Sequence, residues 1–251
     1  MAFSGCSRGS MTKLKMLKVL ALPVLLLAVA LTARADTITL GSYGSGDLAN
    51  GADNSALAYA GYNSSTPSTA LSLTGTGTTY DLTNLSPWYG PIPGSSWVSI
   101  NTGDTVNGGN TEPFGYYTYT STFEAAETNS YYGSISVYAD DTAEVFINGA
   151  LIVAFDSNIV NGPCAQSKNG PTCEGNPPWT VPFLIKLTSG ATDTLTIVDW
   201  QSGGSAAGVD FKGSLTATPE PSSLLLLATG LLGLAFAAMR KTRALCRAAK
   251  S

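Results

Sequence analysis

Between Asp36 and Thr218, apolar positions recur in short alternating runs separated by Gly, Pro, Asn, Asp and Ser. Long runs of helical period are missing. Strands of period two punctuated by turn residues are the pattern of an all-β sandwich or barrel. The clearest stretch is Ser134–Ala139, where Ile135, Val137 and Ala139 alternate with Ser134, Ser136 and Tyr138. Such a strand should bury one face. Asp140, Asp141 and Thr142 interrupt it. Ala143–Ile147 and Ala150–Phe155 then flank Asn148-Gly149. Both of those turn residues tolerate positive φ, so the pair predicts a tight β-hairpin. Further strands are expected at Thr37–Leu40, Leu71–Leu73, Trp97–Ile100, Tyr116–Phe123, Val181–Leu187, Leu195–Trp200 and Val209–Leu215. About nine or ten strands suit one domain of this length. Residues 41–80 are rich in Ser, Thr, Gly and Ala and read as loop or edge strand.

Two longer apolar runs lie outside that body. Val19–Leu31 follows the basic stretch from Met11 to Lys18 and precedes Ala33-Arg34-Ala35. A charged start, a short apolar core and a small-x-small end read as a secretory signal, cleaved by signal peptidase after Ala35. The competing reading is an uncleaved N-terminal anchor, but the run is short for a bilayer span. The second run, Leu224–Met239, extends with Ser222 and Ser223 to nearly the ~20 residues that cross a bilayer. Five basic residues follow it. By the positive-inside rule, this tail stays cytoplasmic and residues 36–218 lie outside the inner membrane. The expected organisation is a signal peptide over 1–35, an exported domain over 36–218 and a C-terminal segment over 219–251. In that last segment, 222–239 would span the membrane and 240–251 form the tail.

Pro219-Glu220-Pro221, the apolar run, and then Arg240, Lys241 and Arg243 follow in order. This triplet, with a signal peptide at the other end, resembles the PEP-CTERM sorting signal. The resemblance implies recognition by an exosortase, removal of the tail, and release or transfer of the body to the cell surface. The competing reading is a plain C-terminal anchor with a chance Pro-Glu-Pro.

Charge sharpens the division. Residues 36–218 hold three Lys, no Arg and 16 acids, a net −13, although the whole chain carries only −4. Such a body cannot neutralise a row of phosphates, so nucleic-acid binding is excluded. The chain has no His. That removes Ser-His-Asp and Cys-His catalysis, His-containing zinc sites and histidine-based pH switching.

Cys164 and Cys173 lie nine positions apart in a Gly/Pro-rich stretch of the body. An exported pair in that setting reads as a disulfide, worth roughly 2–3 kcal/mol by loop-closure entropy. A metal site is disfavoured, because two thiolates lack company.

Three segments then recur in order: Trp88 to Trp97, Tyr117 to Phe123, and Ala139-Asp-Asp-Thr-Ala-Glu-Val-Phe-Ile-Asn-Gly149. They resemble the galactose-binding-type jelly roll of secreted bacterial proteins and carbohydrate-binding modules. A similar Asp-Asp element occurs in protective-antigen-type sandwich domains. The resemblance implies a jelly-roll-type β-sandwich whose end loops could hold a glycan.

Candidate chemistry is of three kinds. Asp140, Asp141 and Glu144 are hard oxygen donors that could share a Ca²⁺ ion, with Asp104 or Asp156 contributing. The alternative is a solvated turn set by carboxylate–amide bonds. The aromatics Trp88, Tyr89, Trp97, Trp179 and Trp200 could offer flat rings to sugars, with Asp140, Asp141 and Asn148 fixing hydroxyls. Trp97 and Trp200 lean towards core; Trp88 and Trp179, in Pro-rich loops, could serve either purpose. Two carboxylates would suffice for glycoside hydrolysis, but nothing singles out a pair. The expectation is a non-enzymatic component of the cell surface or extracellular matrix, associated with exopolysaccharide in a biofilm and requiring no cofactor. The alternative is a lectin resembling a carbohydrate-binding module, with Ca²⁺ as a candidate ligand.

Overall fold

The computed structural model describes residues 36–43, 51–64, 75–82, 88–101, 112–155, 170–173, 177–202, 206–218, 230–235 and 240. Asp36–Thr218 is a compact unit distinct from the terminal segments. The sequence expectations at Ala33, Ala35, Leu71–Leu73, Asp104, Asp156, Cys164, Pro219, Glu220, Pro221, Lys241 and Arg243 lie outside the described residues. Within the C-terminal apolar run, residues 230–235 are helical. Among the described residues no helix is long and apolar enough to cross a membrane.

Among the described residues, eleven strands make up the body: β1 (Thr37–Gly41), β2 (Asp53–Asn63), β3 (Gly77–Leu82), β4 (Trp97–Ser99), β5 (Gly115–Glu124), β6 (Asn129–Asp140), β7 (Thr142–Ile147), β8 (Ala150–Val153), β9 (Trp179–Leu187), β10 (Thr192–Gln201) and β11 (Gly208–Ala217). Hydrogen-bonded neighbours run in the order β8-β7-β10-β5-β2-β3-β4-β11-β6-β9, with β1 also on β11. Every pairing is antiparallel. The path folds back on itself, so β8-β7-β10-β5-β2 faces β1/β4-β11-β6-β9 across a shared core. That core takes Tyr117, Tyr119, Val145 and Ile197 from one layer and Ile135, Val137, Phe211 and Leu215 from the other. The body is an all-β sandwich.

The Asn148-Gly149 hairpin forms as expected, with φ of 50° and 77° at its two residues. Two features depart from the sequence reading. Residues 41–80 are not only loop or edge: β2 pairs with both β5 and β3, inside the sheet. Its register shifts between Asn54 and Ala58 and again between Tyr59 and Gly61, which erases the alternation that marks a strand. The second feature is the break at Asp140-Asp141. It is not a hairpin turn: β6 pairs with β11 and β9, whereas β7 pairs with β10 and β8. The chain changes layer there, and the Asp140–Asp141 peptide is cis.

A smaller apolar cluster lies on the outer face of β4-β11-β6. It contains Leu82, Trp88, Ile92, Trp97, Tyr138, Cys173 and Ala206. Asp210, the outward residue of β11 opposite Tyr138, anchors it. Its carboxylate accepts from Ser95 Oγ at 2.6 Å, the Ile92 amide at 2.7 Å and Ser42 Oγ at 3.1 Å. Burial nonetheless raises its pKa from 3.8 to about 6, and those three bonds only limit the rise.

Candidate functional site

The Asp140-Asp141 corner is positioned from both layers. The Asp141 amide donates to the Trp200 carbonyl at 2.8 Å, and the Ser202 amide donates to Asp141 Oδ2 at 2.7 Å. Trp88 Nε1 donates to Asp140 Oδ2 at 2.8 Å. Both carboxylates are buried. Glu144 does not join them. It lies on β7 opposite Val198, half-buried, and desolvation raises its pKa. Among the described residues no three acidic or cysteine side chains converge as a metal-ligand set. Among the described residues Asp140, Asp141 and Glu144 therefore do not form the expected ligand set.

The sequence reading missed one acid that acts on this corner, Asp199. Asp199 is fully buried, and among the described residues neither of its oxygens has a hydrogen-bond partner. Burial, then the charges of Asp140, Asp141 and Glu112, hold its pKa well above the usual carboxylate range. The signal was present: Leu195, Ile197 and Asp199 share one side of β10, so Asp199 completes an apolar row. Val198 interrupts the alternation and hides it.

The aromatic candidates separate. Trp97 is fully buried, as expected of core. Trp88 is buried too, with its ring 4.4 Å from that of Trp97 and packed against Gly208, where a Cβ would lie 3.0 Å from the indole. It holds the corner and offers no face to a ligand. Asn148 is likewise committed: its side chain donates to Asp193 Oδ1 at 2.8 Å and accepts from the Thr194 amide at 2.9 Å. Tyr89 and Trp179 remain exposed, Trp179 at the start of β9. Cys173 is fully buried in the smaller cluster.

Trp200 departs from the core expectation. It points outward from β10, opposite Tyr116 of β5. Its ring lies 4.4 Å from Tyr116 and 4.7 Å, edge-on, from Phe114; Phe155 stands 6.0 Å from Tyr116. Phe114 is 52% exposed. Its segment is pinned by the Tyr62 and Tyr117 hydroxyls, which donate to the Phe114 and Pro113 carbonyls, each at 2.6 Å. Four rings thus gather on one outer face, with Glu144 two residue pairs along the β7–β10 register. Sequence reasoning missed Phe114 and Tyr116 because cross-strand register, not chain proximity, brings them to Trp200.

An open crevice of about 410 Å³ lies elsewhere, among β1, β2, β5 and β10, lined by Thr39, Tyr43, Ser55, Thr120 and Phe123.

At the C-terminal boundary of the body, β11 ends at Ala217 and the Thr218 amide closes on the Ser130 carbonyl at 2.8 Å. The chain beyond matches a family model. Residues 217–241 are a PEP-CTERM protein-sorting motif. The motif implies exosortase-dependent export and processing of a membrane-anchored precursor. No curated protein matches the chain. Among solved structures, the chain is similar to β-glucosidase from Kluyveromyces marxianus in complex with glucose, at 16% identity and a TM-score of 0.33. The match covers 71% of this chain and 17% of that one. The GH26-CBM35 β-(1,4)-mannanase of Podospora anserina matches at 15% identity and a TM-score of 0.31, covering 75% and 29%. A family 35 carbohydrate-binding module from Clostridium thermocellum matches at 14% identity and a TM-score of 0.28, covering 54% and 86%.

Proposed function

We propose that this PEP-CTERM protein is a non-enzymatic component of the cell surface or extracellular matrix, whose jelly-roll-type body associates with exopolysaccharide in a biofilm. The observation that carries the reading is the sorting motif starting where the last strand of a compact sandwich ends. In this account the precursor is held in the inner membrane by residues 222–239, signal peptidase removes 1–35, and an exosortase removes the tail. The mature form reaches the cell surface or the medium, with Cys164 and Cys173 joined as a disulfide.

The second reading is a lectin, and the outward cluster of Phe114, Tyr116, Phe155 and Trp200 favours it. Rings presented on a rigid sheet, with a carboxylate beside them, suit the apolar faces and hydroxyls of sugars. Ca²⁺ enters this reading through Asp140 and Asp141, two consecutive buried acids at the corner. A glycan array probed with the mature protein, with and without chelator, tests both readings. Sugar binding that falls with Trp200→Ala supports the lectin, and a further fall with chelator supports Ca²⁺. Silence towards every glycan leaves a matrix protein without a discrete ligand. Release of reducing ends from a polysaccharide panel would overturn the non-enzymatic reading.

A further inference from the structure

We infer that the face formed by Phe114, Tyr116, Trp200 and Glu144 binds an amino-sugar polymer carrying free ammonium groups, and discriminates against anionic polysaccharides. This rests on the glycan association proposed above and names its charge class.

The geometry supplies the first part. Trp200 pairs with Tyr116 on one side and Thr142 on the other, and Glu144 pairs with Val198. Directly opposed residues in an antiparallel sheet share a face. Glu144 therefore stands on the same side as the rings, about one sugar width along. Phe114 and Trp200 meet edge to face, so the patch presents two differently oriented ring planes, and Tyr116 is the ring beside the carboxylate. Ring faces carry negative potential and attract an ammonium group placed over them. A glucosamine unit offers both an apolar C–H face for stacking and a cation for Glu144.

Charge supplies the second part. The body carries 16 acids against three Lys and no Arg. Of those lysines, Lys186 and Lys212 belong to β9 and β11 of the other layer, and Lys212 Nζ donates to the Pro93 carbonyl at 2.5 Å. The described part of the ring face thus has no cation to receive a uronate, sulfate or phosphate. Glu144 is half-buried beside Tyr116, whose pKa it helps to raise. A second anion would meet a carboxylate already short of water; an ammonium group would compensate it.

Isothermal titration of the mature protein with glucosamine oligomers, their N-acetylated counterparts and oligogalacturonate, in physiological salt, tests this. Free-amine oligomers are expected to bind at least about tenfold more tightly than acetylated ones, with oligogalacturonate weakest. Glu144→Gln should lose that preference about tenfold, and Trp200→Ala should remove binding. Glu124→Gln, which deletes an exposed charge at the far end of β5, should change neither. Equal losses from Glu144→Gln and Glu124→Gln would mean unspecific attraction to an acidic body and would overturn the inference. So would equal affinity for acetylated or uronate oligomers, although glycan association itself would stand. Binding to none of the three overturns the inference; silence across the glycan array as well would remove the association it rests on. Because Trp200→Ala could disturb folding, Glu144→Gln carries the decision, with circular dichroism confirming the sheet.

Discussion

Asp210 shows what a buried carboxylate costs and what it organises. Three donors converge on it and tie the 88–96 segment to β11. Its folded pKa of about 6 lies above its ordinary 3.8, so the folded state holds the proton more tightly than the unfolded chain. That contribution is complete below the unfolded value and is lost as pH rises through about 6. A shift of this size corresponds to about 3 kcal/mol. Asp199 is shifted in the same direction. The melting temperature should therefore fall as pH is raised from 5 to 8, and Asp210→Asn should flatten the dependence. A melting temperature that is constant or rises over that interval would contradict this account of the buried acids. Sequence alone showed the Asp140-Asp141 pair but not its setting. Its partners Trp88, Trp200 and Ser202 stand about 50 to 60 residues away in the chain, and no local pattern announces them.

At the scale of elements, legibility followed periodicity. The clean alternation of β6 and the Asn148-Gly149 turn were readable, because a half-buried strand and a left-handed turn each demand particular residue types. β2 was not. Asp53–Asn63 is built largely from Ala, Ser, Asn and Gly, and its two register shifts break the period. The layer switch between β6 and β7 was also hidden, since a short polar break reads alike whether the chain reverses in one sheet or passes to the other. β9 shows how an end of the sheet is protected. Among the described strands it pairs only with β6, and it carries an exposed Pro182 in mid-strand and an exposed Lys186. A proline without an N–H and an exposed lysine both discourage pairing with another chain. The double variant Pro182→Val, Lys186→Val should self-associate and elute earlier from a sizing column than the parent. Unchanged elution at high concentration would show that the edge is guarded by something else.

At the scale of the whole molecule, the uneven charge and the sorting motif describe one history. Ten of the 13 basic residues lie outside Asp36–Thr218, flanking the two apolar runs. In the proposed account they direct export and orientation, and most are absent from the finished protein. What remains is a sandwich of net −13, whose self-repulsion favours solubility and which should gather cations from its surroundings. The most direct test of this history is the intact mass of the protein recovered from outside cells with an active exosortase. The account predicts a chain that starts near Asp36 and lacks Leu224–Met239. A mature protein that retains Leu224–Met239 would contradict it.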